Sequence, residues 1–464
     1  MINRCIRAKN TEYWPSRCGP TPQRAKQGGT LLTISSFRDR QAAVFDDPAG
    51  AGLAVLAGVS VPLVAFGKAV MAVPLVPAAL LALILVFRGD ARVRLQRLAL
   101  SPEGVVLGLF FLFALISALL SDHLAKALFT WARSAVFVGV AAAMSVALAD
   151  QVGRATLACK ALLVAAAVTL LYVCGTIYVD DTLFTWLTGR RFVFEGAPSR
   201  LKAFGSTAVC LLPALLLSAR IVGLHLAYSF PAIIAAVFLA IWLGGSQTSE
   251  AGLLGVICAS SLVALVLLVG RLRKPYRVAT IAFLLLAGLS IGVLVTAKLP
   301  SLTEIHQDQF TLPKNLIDPH RQLIWGFTME ATGERPLFGH GPNTINLIEG
   351  AEEVIEFLDP TSSLVAAELI PSHPHNWIYE ISSETGLAGL TALVLALLLV
   401  LRRLAILALD GAWAGWAAVA LFAAFWGSSL VNFSIWAAWW QLTFLVLLAI
   451  VLAAASAEKP GRPT

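Results

Sequence analysis

Charge is what this chain has least of: Asp, Glu, Lys and Arg make up 13% of its 464 residues, while 58% are hydrophobic. A soluble domain carries roughly 25% charged residues, so a soluble globular protein is excluded. Ordered cysteine spacing is also missing. Cys5 and Cys18 lie in the polar N-terminal stretch, and Cys159, Cys174, Cys210 and Cys258 fall in or beside apolar runs. No CxxC pair and no Cys/His spacing occurs, which excludes a disulfide framework or zinc site and leaves the thiols as small hydrophobes. Residues 1–45 contain no apolar core of a cleavable signal peptide. Rich in Arg, Lys, Pro, Gly, Ser and Thr, they read as a disordered basic tail. The net charge of +7 comes without an aromatic–basic module, so no nucleic-acid partner is expected. Two related halves, the mark of many secondary transporters, are absent too.

What the chain has instead is long apolar runs. A span needs about 20 apolar residues, and candidates lie near 50–67, 70–87, 104–121, 126–149, 155–176, 203–222, 224–244, 250–270, 277–297, 385–402, 411–431 and 433–456. The expectation is an all-α polytopic membrane protein with about twelve transmembrane helices. The first two runs are short and separated by Lys68, which predicts a tight hairpin. Basic residues sort the loops: Arg88, Arg92, Arg94 and Arg97 follow the second run, Arg154 the fourth, Arg220 the sixth. Arg271, Arg273, Lys274 and Arg277 follow the eighth, and Arg402 and Arg403 the tenth. Both termini are therefore expected in the cytoplasm. The organisation reads as a tail (1–48), nine helices (49–297), a long non-cytoplasmic loop (298–384), three helices (385–456) and a short cytoplasmic tail (457–464).

The long loop carries the chemistry. It holds five of the seven histidines: His306, His320, His340, His373 and His375. Such a loop is usually functional or independently structured. From His320 an amphipathic helix is expected on the outer surface, with Trp325 and Phe327 as interfacial anchors. It ends in a sharp turn at Arg335-Pro336-Leu337-Phe338-Gly339-His340-Gly341. Arg321 near its start faces the wrong end of the helix dipole. Either it shares an anion such as phosphate with the free N–H groups, or it is a solvated or headgroup-binding arginine. The run Pro371-Ser372-His373-Pro374-His375-Asn376 precedes another helical pattern, which Asn376 can cap. His375 is either a structural histidine or a general base for a hydroxyl proton. Glu380 and Glu384 read as helix-surface or interhelix residues. The acidic run Glu349, Glu352, Glu353 and Glu356 reads as the solvated side of a loop helix rather than a metal site.

The pattern His375-Asn376, nine residues, Gly386, two residues, Gly389 resembles the signature of the O-antigen ligase and polymerase superfamily. Arg321-xxx-Trp325 leading to 335–341 resembles that family's second landmark. The similarity covers roughly residues 50–456. It implies the fold of GT-C-type polyprenyl-linked glycosyltransferases, with a large periplasmic loop between helices 9 and 10. It also implies an inverting, metal-independent transfer at the periplasmic face of a bacterial inner membrane, with no cofactor. The donor would be a glycan on undecaprenyl pyrophosphate and the acceptor a hydroxyl of lipid A-core. His375 falls on the family's catalytic histidine, with Asn376, His373 and His340 in support, and Arg321 on an arginine of the donor pyrophosphate site. A second family arginine is missing from the stretch Gly245-Ser246-Gln247-Thr248-Ser249-Glu250-Ala251. Arg200, Lys202, Arg191 and Arg190, from the loop before the sixth run, are the candidate replacements. The rivals are an O-antigen or exopolysaccharide polymerase with the same donor, a secondary transporter, and a scaffold protein.

Overall fold

The computed structural model describes residues 47–458 apart from 181, 183–184, 187–196, 244–245, 301–303, 305–316 and 359–363. The expected disordered tail lies outside them. Fourteen helices are labelled here in chain order. The first ten are α1 (Pro48–Ser60), α2 (Ala72–Arg88), α3 (Ala91–Ala99), α4 (Pro102–Leu119), α5 (Leu124–Ala149), α6 (Val152–Tyr178), α7 (Ala197–Val222), α8 (Leu226–Leu243), α9 (Ser246–Arg271) and α10 (Lys274–Thr296). The long loop contributes α11 (Pro319–Glu334) and the strands β1 (Val354–Leu358) and β2 (Leu364–Glu368). The chain continues with α12 (Trp377–Leu409), α13 (Trp413–Ser428) and α14 (Ala438–Glu458).

Every apolar run contains helix, but the runs are not twelve equal spans. Among the described residues nine helices are long and apolar enough to cross a membrane, or ten if α2 and α3, bent by 102°, count as one. Pro62 converts the end of the first run into the short 3-10 helix Pro62–Phe66, leaving α1 with 13 residues. The run at 411–431 stops helically at Ser428, and the next restarts at Ala438. The connection 429–437 is non-helical and becomes part of the site.

Helices α7, α13 and α14 form the middle of the bundle, and Trp440, Phe425 and Leu53 are among its largest fully buried side chains. By contrast α10 buries none of its residues. A helix apolar all round suits contact with lipid chains. The loop packs a second, smaller core from Leu323, Ile324, Trp325, Phe327, Ile345, Ile355, Phe357, Leu369, Ile370 and Tyr379.

Two expectations for the loop are corrected. Trp325 and Phe327 are not interfacial anchors: both are buried, and Trp325 Nε1 donates to Pro374 O at 2.8 Å. The acidic run is not a helix face. Its end enters β1, which pairs antiparallel with β2, Ile355 opposite Ala367. Glu352, Glu353 and Glu356 are exposed. Alternation, not helical period, places Glu356 outward between the buried Ile355 and Phe357. Among the described residues the fold is thus all-α apart from one hairpin.

The two sequence landmarks of the loop meet at a break in α12. Gly386 takes φ 68°, ψ −178° inside this helix. The amides after the break are satisfied from outside the helix: Leu387 N–H donates to Pro336 O (2.8 Å) and Ala388 N–H to Leu337 O (3.3 Å). In return His340 N–H donates to Ser383 O (2.9 Å) and Gly341 N–H to Glu384 O (2.8 Å). A Cβ on Gly386 would lie 2.2 Å from the Leu337 carbonyl, and one on Gly339 2.5 Å from Ser383 O. Only glycine supplies both the left-handed φ and the close approach. Gly386→Ala should therefore cost about 1–3 kcal/mol or more in stability. The check is thermal unfolding of detergent-purified protein, where an unchanged midpoint would contradict this account.

Candidate active site

Asn376 is the N-cap of α12, its side chain accepting from Ile378 N–H at 2.9 Å. The residue before it, His375, has φ 55°, an uncommon backbone for a non-glycine residue. That turn brings the His375 and His373 rings together, with centroids 4.1 Å apart. Both rings meet one acceptor, the backbone carbonyl of Asn432 in segment 429–437.

A carbonyl can only accept, which fixes the tautomers. His375 Nδ1–H donates to Asn432 O at 2.8 Å, and Nε2 meets no hydrogen-bond partner among the described residues. His373 donates from Nε2 to the same oxygen at 3.2 Å, and its Nδ1 accepts from Ser372 Oγ at 2.8 Å. Both ring nitrogens of His373 are engaged. Of the two rings, His375 is the one that keeps a bare nitrogen among the described residues.

Both rings are held neutral. Burial pushes His375 down to about 4, helped by the positive charges of Arg321 and Lys202. Burial and the neighbouring His375 push His373 down to about 3, with Lys202 and Lys68 adding to it. Arg321 and Lys68 are near enough to Lys202 for their positive charges to act on it. Lys68 and Lys202 flank the Phe433 ring, with their ammonium nitrogens 5.2 and 5.5 Å from its centroid. Lys68 also lies 5.2 Å from the centre of Trp439. Among the described residues Lys68 forms no salt bridge, and burial holds its ammonium below the ordinary lysine value. Two neutral histidines beside Lys68, Lys202 and Arg321 make a site suited to a multiply charged anion and a proton acceptor next to it.

The expected residues divide. His373, His375, Asn376, Arg321 and Lys202 come together. Arg321 lies in the first turn of α11, where Asp318 caps the helix by accepting from Arg321 N–H at 3.3 Å. His340 does not join them: it is buried, and its Nε2–H donates to Ala331 O at 2.9 Å, tying the 335–341 turn to α11. Arg335 of the same motif pairs with Asp122 at 2.7 Å. Arg190 and Arg191 lie outside the described residues, as does His306; Arg200 is on α7, but its side chain is not among those described. Glu380 and Glu384, read as surface or interhelix residues, are buried, each 1% exposed.

Sequence reasoning missed Lys68 and Asn432. Lys68 left a signal, a lone cation between two apolar runs, and such charges are costly near a membrane without a role. Asn432 left none, because its contribution to the histidines is a backbone carbonyl.

The sequence model of the O-antigen ligase family matches residues 232–394. That match supports membership of the O-antigen ligase superfamily. The match runs from α8 through the broken part of α12 and includes Arg321, His373, His375, Asn376 and Gly386. Lys68, Lys202 and Asn432, which complete the cluster in space, lie outside it. No curated protein matches the chain. The match indicates a glycosyltransferase-like ligase or polymerase and implies a lipid-linked glycan substrate in a membrane.

Proposed function

We propose that the chain is an O-antigen ligase that moves a glycan from undecaprenyl pyrophosphate to a sugar hydroxyl of lipid A-core. The reaction is placed at the periplasmic face of the inner membrane, on a GT-C-type fold with both termini in the cytoplasm. The observation that carries the chemical part is the bare Nε2 of neutral His375 within reach of the charges of Arg321 and Lys202, with Lys68 next to Lys202 and His373. In this reading Nε2 takes the proton of the acceptor hydroxyl while the acceptor oxygen bonds to the anomeric carbon of the donor. The bond from that carbon to the pyrophosphate breaks on the opposite side, inverting the centre. The leaving pyrophosphate keeps the electron pair, and Arg321, Lys202 and Lys68 offset its charge. Arg200, Arg191 and Arg190 are further donor-binding candidates.

The pH dependence follows from the causes of the shifts. Protonation of Nε2 removes the base, so activity falls as pH drops through the His375 value. In the free enzyme that value is about 4. Hence kcat/KM, which reports free enzyme, should show no histidine limb between pH 8 and about pH 5.5. Bound pyrophosphate offsets the cations that depress His375, so the limb in kcat should lie at higher pH. A kcat/KM limb near the ordinary histidine value would contradict this.

Ligase and polymerase share the donor and differ in acceptor. Deleting the gene and displaying the surface polysaccharide on a gel separates them. Ligase loss leaves core without attached polymer, whereas polymerase loss leaves core bearing a single repeat.

A further inference from the structure

Behind the histidines lie two buried carboxylates that the proposed reaction does not use. Glu380 and Glu384 sit one turn apart on α12, on one face of the helix. Each accepts from donors in another part of the chain. Glu380 accepts from Ser434 Oγ and from Ile435 N–H (2.8 Å). Glu384 accepts from Asn343 N–H (2.7 Å), Ile345 N–H (3.2 Å) and Trp436 Nε1. A carboxylate is kept in a buried place only when such donors compensate its lost hydration. Glu384 ties the loop to α12. Glu380 ties down the turn that carries Asn432.

We propose that Glu380 is a positioning residue for His375: by gripping Ser434 and Ile435 it fixes the turn whose Asn432 carbonyl holds the imidazole in its Nδ1–H tautomer. This rests on the reading of His375 as the base. The ring is anchored at two points, its backbone at the start of α12 and its Nδ1 on Asn432 O. Those points belong to separate parts of the chain, and few bonds join them. Trp377 N–H donates to Ser429 O at 3.2 Å on one side of Asn432, and Glu380 grips the other side, two residues on. Ser434 Oγ also accepts from Trp436 N–H at 3.1 Å, so the Glu380 contact organises the whole turn. Farther along, Arg133 Nη2 donates to Trp436 O at 2.5 Å. The Asn432 side chain adds bonds from Nδ2 to Ser206 Oγ (3.0 Å) and Ser428 Oγ (3.2 Å). Without Glu380 the Asn432 carbonyl loses its nearest constraint on the α14 side. An imidazole free to take the Nε2–H tautomer would present a donor where a base is needed.

The test is the tautomer itself, read from ¹⁵N shifts of histidine-labelled protein in membranes, with His375→Ala to assign the ring. Wild type should show a protonated Nδ1 and a bare Nε2. Glu380→Ala should mix the tautomers and lower kcat about 10- to 100-fold, the scale of removing a histidine's orienting partner, while leaving the donor KM unchanged. Glu380→Gln can accept from Ile435 N–H and donate to Ser434 Oγ, so it should restore the tautomer and most of kcat. Wild-type shifts or wild-type kcat in Glu380→Ala would overturn the proposal. A wild-type chain that transfers no glycan would count against the function instead, and the tautomer measurement would still stand. Should Glu380→Ala fail to accumulate in the membrane, Ser434→Ala removes one of the two grips and must mix the tautomers in the same direction; unmoved shifts there overturn the proposal equally.

Discussion

His375→Ala is expected to lower glycan transfer by about 10²–10⁴-fold, the usual contribution of a general base. The protein should remain inserted and folded, because the ring makes one hydrogen bond, to Asn432 O, and the backbone cap at Asn376 is untouched. The contrast with His373 is the sharper part of the expectation. His373 lies within the same cluster, yet both its nitrogens are engaged, by Asn432 O and Ser372 Oγ. His373→Ala should cost far less, through looser packing of its neighbour rather than through loss of the proton acceptor. Purified variants assayed with lipid-linked donor and acceptor decide it. Equal losses at both positions, or near-normal transfer by His375→Ala, would remove His375 from the role of base.

The second large effect is expected at Arg321. Arg321→Ala should lower kcat by about 10²–10³-fold, the scale of losing a donor aimed at developing negative charge. Arg321→Lys should recover little of it, since an ammonium keeps the charge but not the planar fork that meets two phosphate oxygens. Lys68 and Lys202 are expected to matter less singly, by about ten- to a hundredfold each, as befits one charge-assisted hydrogen bond. Their double substitution should approach the Arg321 effect, because together they face the same anion. Donor titration of the single and double alanine variants measures this. Wild-type behaviour of both lysine variants would leave the place of the missing family arginine to Arg200, Arg191 or Arg190.

The landmarks and the joint in α12 differ in how legible they were. The spacing from His375-Asn376 to Gly386 and Gly389 and the run 335–341 were both readable as motifs. Their mutual dependence was not: the Gly386 break leaves amides that only the Pro336 and Leu337 carbonyls satisfy. Local pattern predicts a helix or a turn, but it cannot state which distant carbonyl completes a broken one. Trp325 and Phe327 failed for a related reason. An aromatic pair on an amphipathic helix suits a membrane interface or a small core equally well. Only the hairpin β1–β2 and the segment 369–370, whose side chains join the same cluster, decided for the core.

By itself the sequence determined the class of molecule, because a shortage of charge and repeated apolar runs leave few soluble or aqueous solutions for the backbone. It also determined the helix cap at Asn376, which depends on neighbours in the chain. The superfamily resemblance supplied the histidine to examine. The tertiary structure decided which nitrogen of which histidine is bare, since that depends on the Asn432 carbonyl more than fifty residues away. It decided that Lys68 stands with Lys202 and Arg321, from three separate elements, and that His340 and Arg335 serve the scaffold. Sequence spacing fixes what lies on one face of one helix. A charge cluster assembled from a hairpin, a span and a loop exists only after the bundle has closed.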